Sequence, residues 1–298
     1  MEFGCSDSLN PDFDMSPRDQ RPKPQAESTK SSQNKRPAHE KKLLGNHQRS
    51  WIWGKHLVQE TLAAGRWPVL ELILADDLPT VEISRVRTSA THLDPVTASR
   101  KRLTQLCGSD EHQGWIARVG PFPYVPFEDL LNNQPVAPFW LLIDGIQDPY
   151  NLGTILRSAE VFAVTGVCLG TVNQTGVNSL AARSSVGAVN RLRISRSGDL
   201  VSVIKELRKR EVSIIGTSLE ATRSLDAIDC TGGVAVVVGN EGRGISAEVL
   251  KACSYRAKIP QPGKLNSLNA AAATAIACYE VQRQRRAKHY TEKRNIND

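Results

Sequence analysis

The chain has 298 residues, with 38 Lys and Arg against 31 Asp and Glu, a net charge of +7 and a pI near 9.2. That length accommodates two folded units and some tail, and the basic excess favours a polyanionic partner without choosing between nucleic acid and an acidic membrane surface. A hydrophobic fraction of 40% excludes a wholly disordered chain, and no apolar run approaches the roughly 18 residues of a membrane helix, so a soluble protein is expected.

Residues 1–50 are rich in Asp, Lys, Pro, Ser, Gln and Asn without apolar periodicity and read as a disordered tail. Order is predicted from Trp51: a strand over 51–54, a helix over 56–64, a strand over 69–75, a helix over 97–106 and a strand over 114–119. These make a small α/β unit, 51–122. Pro121, Pro123, Pro126, Pro135 and Pro138 then mark 123–138 as a linker, because proline cannot donate to a ladder.

From 139 the pattern alternates: strand 140–146, helix 151–163, strand 166–169, helix 178–187, strand 191–194, helix 199–210, strand 212–217 and strand 234–239. Strand 257–259 and a final helix 269–284 follow, and 285–298 reads as a basic tail. Short continuous apolar runs between helices predict a mostly parallel sheet covered on both faces, an α/β domain over 139–284. Ligands of such sheets bind at the carboxyl ends of the strands.

The six cysteines, Cys5, Cys107, Cys168, Cys230, Cys253 and Cys278, form no Cys-x-x-Cys pair and have no His at zinc-finger spacing. Disulfides and metal sites are not expected. Residues 1–24 mix acids, Pro and Ser and do not resemble a secretory signal, which points to a reducing, cytoplasmic location.

Three loops follow strands. In Asp148-Pro149-Tyr150-Asn151-Leu152-Gly153, Asn151 is the expected N-cap, and Leu152, Ile155, Leu156, Ala159 and Ala163 the buried stripe, with Arg157 off it. Gly239-Asn240-Glu241-Gly242-Arg243-Gly244 is glycine-rich, which lets backbone approach a ligand. Gly242-x-Gly244-x-x-Ala247 also fits a dinucleotide pattern, but the strand is late and no acidic ribose ligand follows at the required spacing. The third loop, from Ile259-Pro260 to Ser267-Leu268-Asn269, ends at the start of an Ala-rich helix. Taken singly, these features read as capping or as solvated surface.

Taken jointly, Asn151-x-Gly153-x-x-x-Arg157, Asn240-Glu241-x-x-Gly244 and Ile259-Pro260 through Ser267-Leu268-Asn269 resemble the three motifs of the SpoU (TrmH-like) family of SPOUT RNA methyltransferases. Arg183-Ser184-Ser185-Val186-Gly187-Ala188 is similar to a connecting segment of that family, whose usual first residue is Lys. Trp51 to Ala64, with His112-Gln113-Gly114, resembles the small substrate-binding domain of its ribosomal-RNA members; His112 itself is read as structural.

The resemblance implies a trefoil-knotted catalytic core, a fold that topology rules make rare. It also implies a homodimer and S-adenosylmethionine as methyl donor to a ribose 2′-hydroxyl of ribosomal RNA, a guanosine of 23S-type rRNA being the expected target. A tRNA substrate, a noncatalytic RNA-binding assembly factor and a dinucleotide oxidoreductase are the alternatives. Arg157 would polarise the hydroxyl, since a guanidinium does not release its proton at neutral pH. Asn151, Ser267 and Asn269 would orient the ribose and Arg157, with Glu241 anchoring Arg157 or the loop. Gly239, Ile259 and Leu268, with Thr217 and Ser218, would hold the cofactor. Arg183, Arg243 and the basic residues from Arg283 to Arg294 would face RNA.

Overall fold

The computed structural model describes residues 50–89, 93–132, 134–265 and 267–297. The tail expected over 1–50 lies outside them except for Ser50. The first lobe runs β1 (Trp51–Trp53), α1 (Lys55–Ala64), β2 (Val69–Ala75), α2 (Thr80–Ser89), β3 (Val96–Ala98), α3 (Arg100–Cys107) and β4 (Trp115–Val119). Its sheet has the order β1-β4-β2-β3, antiparallel except for β2 with β3.

Strand residues alternate between faces, as the pleat requires. Ile52, Leu72, Leu74 and Ala117 pack with Leu57 and Val58 of α1, while Trp51, Trp53, Ile73 and Ile116 pack with Leu103 and Cys107 of α3. The sequence reading missed α2, whose Thr80-Val81-Glu82-Ile83 start has few apolar residues to set a period.

The second lobe runs α4 (Phe127–Leu131), β5 (Phe139–Asp144), α5 (Pro149–Val161), β6 (Gly166–Leu169), α6 (Ser179–Ser184), β7 (Ile194–Arg196) and α7 (Leu200–Arg208). It continues with β8 (Ser213–Thr217), β9 (Arg223–Ser224), β10 (Val234–Gly239), α8 (Ala247–Ala252), β11 (Tyr255–Lys258) and α9 (Ala270–Asn297). Seven strands lie in the order β7-β6-β5-β10-β8-β11-β9, and every pair is parallel. Phe139, Leu141 and Ile143 of β5 and Val234, Val236 and Val238 of β10 face α5, α6 and α9. Trp140, Leu142, Ala235 and Val237 face α4, α7 and α8. Apolar residues on both faces explain the unbroken runs seen in the sequence.

Three features depart from expectation. The 123–138 segment is no bare linker: it forms α4, Val125 N–H donates to Ile194 O at 2.8 Å, Val177 N–H donates to the Tyr124 hydroxyl at 2.7 Å, and Phe127 packs edge-on against Trp140. Helix α9 does not end near 284 but continues to Asn297. Within it Arg285, expected in a basic tail, lies over the Phe139 ring at 5.6 Å. Its guanidinium donates to Cys230 O at 3.2 Å, Pro138 O at 3.2 Å and Gly232 O at 2.7 Å. Among the described residues no helix is long and apolar enough to cross a membrane.

Candidate active site

The register sets Gly239 of β10 beside Asp144 of β5, so the loops after these strands emerge together. The 240–244 loop braces itself. Asn240 and Gly244 exchange backbone hydrogen bonds of 3.1 and 2.8 Å, and Asn240 Oδ1 accepts from the N–H groups of Gly242 and Arg243 at 2.9 and 3.2 Å. Gly244 has φ 69, the left-handed region that favours glycine. The Gly244–Ile245 backbone lies so close over Gly239 that any Cβ there would overlap it. Two bonds tie the loop to β5: Asn240 Nδ2 to Gly145 O at 3.1 Å, and Ser246 N to Asp144 Oδ2 at 2.7 Å.

Helix α5 is capped by Asp148, which accepts from Tyr150 N–H at 3.0 Å with Pro149 in the first turn, and not by Asn151. Its buried stripe is Leu152, Gly153, Ile155, Leu156 and Ala159. Ala163 falls outside, exposed at φ 52 just past the helix. Relieved of capping, Asn151 bridges two other loops. Asn269 accepts from Ala271 and Ala272 N–H at 2.9 and 3.3 Å, capping α9. Its Nδ2 therefore points outward and donates to Asn151 Oδ1 at 3.1 Å, leaving Asn151 Nδ2 to donate to the Glu241 carboxylate. A backbone cap thus fixes two amides and a carboxylate in one line. Glu241 is held by Asn151 and not by Arg157.

A cavity of about 610 Å³ opens under these loops. Thr217, Ser218, Gly239, Ile259 and Leu268 line it, as do Glu241, Arg243 and Ser267. The sequence reading did not single out Leu219, Ile245, Leu250 and Ala273, which complete an apolar wall. Helix α8 brings Leu250 there, and its signal was Ser246 before an Ala-Glu-Val-Leu run. Thr217 Oγ1 donates to Val237 O at 3.0 Å, which commits its hydroxyl proton to the sheet.

Two expected site residues lie elsewhere. Arg157 is exposed, does not line this cavity, and its side chain makes no hydrogen bond or ion pair with any described residue. Arg183 lies between the two lobes, bonded to Trp53 and Glu111, and does not line this cavity.

A parallel sheet with a half-apolar cavity at its carboxyl ends defines an α/β enzyme with a small-molecule site. Residues 138–279 match the model of the SpoU rRNA Methylase family, and residues 51–125 that of the RNA 2′-O ribose methyltransferase substrate binding domain. A Staphylococcus aureus protein assigned to the TrmH family of tRNA/rRNA methyltransferases is 30% identical over 239 residues, 78% of this chain and 96% of that one. The TrmH-family protein YacO of Bacillus subtilis is 29% identical over 248 residues, covering 80% of this chain and 98% of YacO. The AdoMet-bound rRNA methyltransferase of Sinorhizobium meliloti superposes with a TM-score of 0.68 at 28% identity, covering 78% of this chain and 86% of that one. The chain belongs to the TrmH (SpoU) family of RNA methyltransferases.

Proposed function

We propose that the chain methylates a ribose 2′-hydroxyl of ribosomal RNA, a guanosine of the 23S type, with S-adenosylmethionine held in the 610 Å³ cavity. The observation that carries this reading is the convergence of Glu241, Ser267 and all five cofactor candidates on that cavity, with Asn151 and Asn269 bonded to its rim. The residues fit the cofactor: the volume lies within the roughly 300–1,000 Å³ of small-molecule sites. Leu219, Ile245, Ile259 and Leu268 offer apolar contact for an adenine ring. When bound, the sulfonium supplies an already activated methyl group.

The protein must then align the ribose oxygen and ease the loss of a weakly acidic proton. Alignment contributes on the order of 7–11 kcal/mol. Ser267, Asn151 and Asn269 supply orienting hydrogen-bond groups. Arg157 stabilises the developing alkoxide as a fixed charge. Because Arg157 does not line its own chain's cavity, the reading includes a homodimer in which Arg157 of the partner subunit completes the site. Support comes from the face that carries Arg157. On α5 it lies with exposed Tyr150 and Val161, and neighbouring α9 adds exposed Ile276 and Tyr279. A second copy seated on α5 and α9 would cover these and bring the strand-end loops of both chains together.

The test incubates the protein and labelled S-adenosylmethionine with rRNA and tRNA from cells lacking the gene, then maps marks by resistance to alkaline hydrolysis. One protected position in the large rRNA is expected. Arg157→Ala should lower turnover about 10²–10³-fold; near-full turnover of Arg157→Lys would show that forked guanidinium geometry is dispensable. Marks on tRNA alone would favour the tRNA reading.

A further inference from the structure

The two lobes meet along the stretch from α6 to β7, residues 183–192. Arg183 donates to Trp53 O at 3.1 Å and to Glu111 O at 3.4 Å, pairs with the Glu111 carboxylate at 3.1 Å, and lies 5.9 Å from the centre of the Trp53 ring. Gly54, at φ 96, leaves room for the guanidinium that any Cβ would take. Further along, buried Asn190 donates to Thr61 Oγ1 at 3.0 Å, and Arg66 donates to Asn190 O and Leu192 O at 3.4 and 3.0 Å. Arg191 spans from Glu60 of α1, at 2.7 Å, to Glu160 of α5, at 3.5 Å. One apolar core runs unbroken from Ile52, Leu57 and Val58 into Leu152, Ile155 and Ala181.

The far side of the same stretch is packed on α5, the helix that carries Asn151 and Arg157. At Gly153 the two helices approach so closely that a Cβ would overlap Ser184 Oγ and Ala181 O. A single short segment is therefore bonded to the RNA-binding lobe on one side and to the catalytic helix on the other. Glu111 is 73% exposed, so its ion pair alone specifies little. The bonds to Trp53 O and Glu111 O come from two different nitrogens of one planar fork, a geometry that a lysine does not supply.

Resting on the functional reading above, we propose that Arg183 is a positioning residue. With 184–192 it forms a fixed strut that sets the reach from the RNA-binding lobe to the methyl-transfer cavity, and so selects which ribose is methylated.

The test compares the full-length protein with Arg183→Ala, Arg183→Lys and Glu111→Lys on a structured large-subunit rRNA fragment. It measures kcat/KM, the mapped positions of the marks, affinity for S-adenosylmethionine, and the slope of RNA affinity against salt. Arg183→Ala and Arg183→Lys should lose at least about tenfold in kcat/KM and spread marks to neighbouring riboses, with cofactor affinity and salt slope unchanged; Glu111→Lys, which sets a like charge against Arg183, should spread marks as well. An Arg183→Ala slope lower by about one unit with the mark still on one ribose would make Arg183 a phosphate contact and overturn the proposal. Loss of turnover without spreading would overturn the selection role. Glu111→Lys, at an exposed site, decides the matter if Arg183→Ala fails to fold. Retained fidelity with tighter RNA binding there sinks the strut, whereas spreading supports it. If the unaltered protein methylates no ribose, the functional reading falls first and this one with it.

Discussion

Asn151 is placed so that its amide can be read in only one sense. The α9 cap fixes Asn269, Asn269 fixes Asn151, and Asn151 presents its NH2 to Glu241. An aspartate there would set two carboxylates at hydrogen-bond distance, a pair that ionises fully only with difficulty. We expect Asn151→Asp to be nearly inactive at pH 8 and to recover as pH falls toward 5, where a shared proton restores a donor. A pH profile of methyl transfer, normalised to the unaltered protein, checks this. The motif positions were legible because glycines, prolines and cap residues punctuate the loops. The capping assignment was not, because Asp148-Pro149 and Asn151 compete for one helix start and only packing decides between them.

His112 belongs to the same scale. Burial lowers its imidazole below the ordinary 6.5, and Nδ1 accepts from Gly114 N–H at 2.9 Å, which a protonated ring cannot do. The folded value lies below the unfolded one, so the unfolded chain binds the proton first. Stability is full above about 6.5 and declines as pH falls through that value. Melting temperature should drop between pH 7 and 5.5, and the drop should be shallower in His112→Asn, measured by scanning calorimetry.

At the scale of elements, Gly153 decides how α5 and α6 meet. It stands in the middle of α5, where glycine lowers helix propensity, and its use is contact. Gly153→Ala should destabilise by about 1–3 kcal/mol through overpacking, read from the urea midpoint at unchanged m. Strands were legible wherever both faces are buried, as in Val234–Gly239, predicted over the same residues. Helix ends were less so. Beyond Val281 α9 has no apolar stripe to follow, yet 282–297 contains only residues compatible with a helix, without Gly or Pro, and Glu280 pairs with Arg283 at 2.7 Å. Charge read as tail belongs here to a helix, and Arg285 is a staple.

For the whole molecule, that Arg157 does not line the cavity was beyond a sequence reading, which groups motifs without fixing where their side chains end. If two copies share sites, mixing Arg157→Ala with Ser267→Ala should restore activity that neither has alone, up to about a quarter of normal, since half of the mixed dimers' sites are intact. Activity that stays at the sum of the separate variants would assign Arg157 to its own chain.

The strand order has a temporal corollary. β10 is inserted between β5 and β8, and β11 between β8 and β9, so the middle of the sheet is filled by late segments. During synthesis β5 and β8 are made before β10 can pair with either, and β10 and β11 both lie in the last quarter of these 298 residues. Part of the wall of the 610 Å³ cavity is laid down with them. Prematurely terminated products are therefore not smaller enzymes but chains with unpaired strand edges, suited to degradation or aggregation.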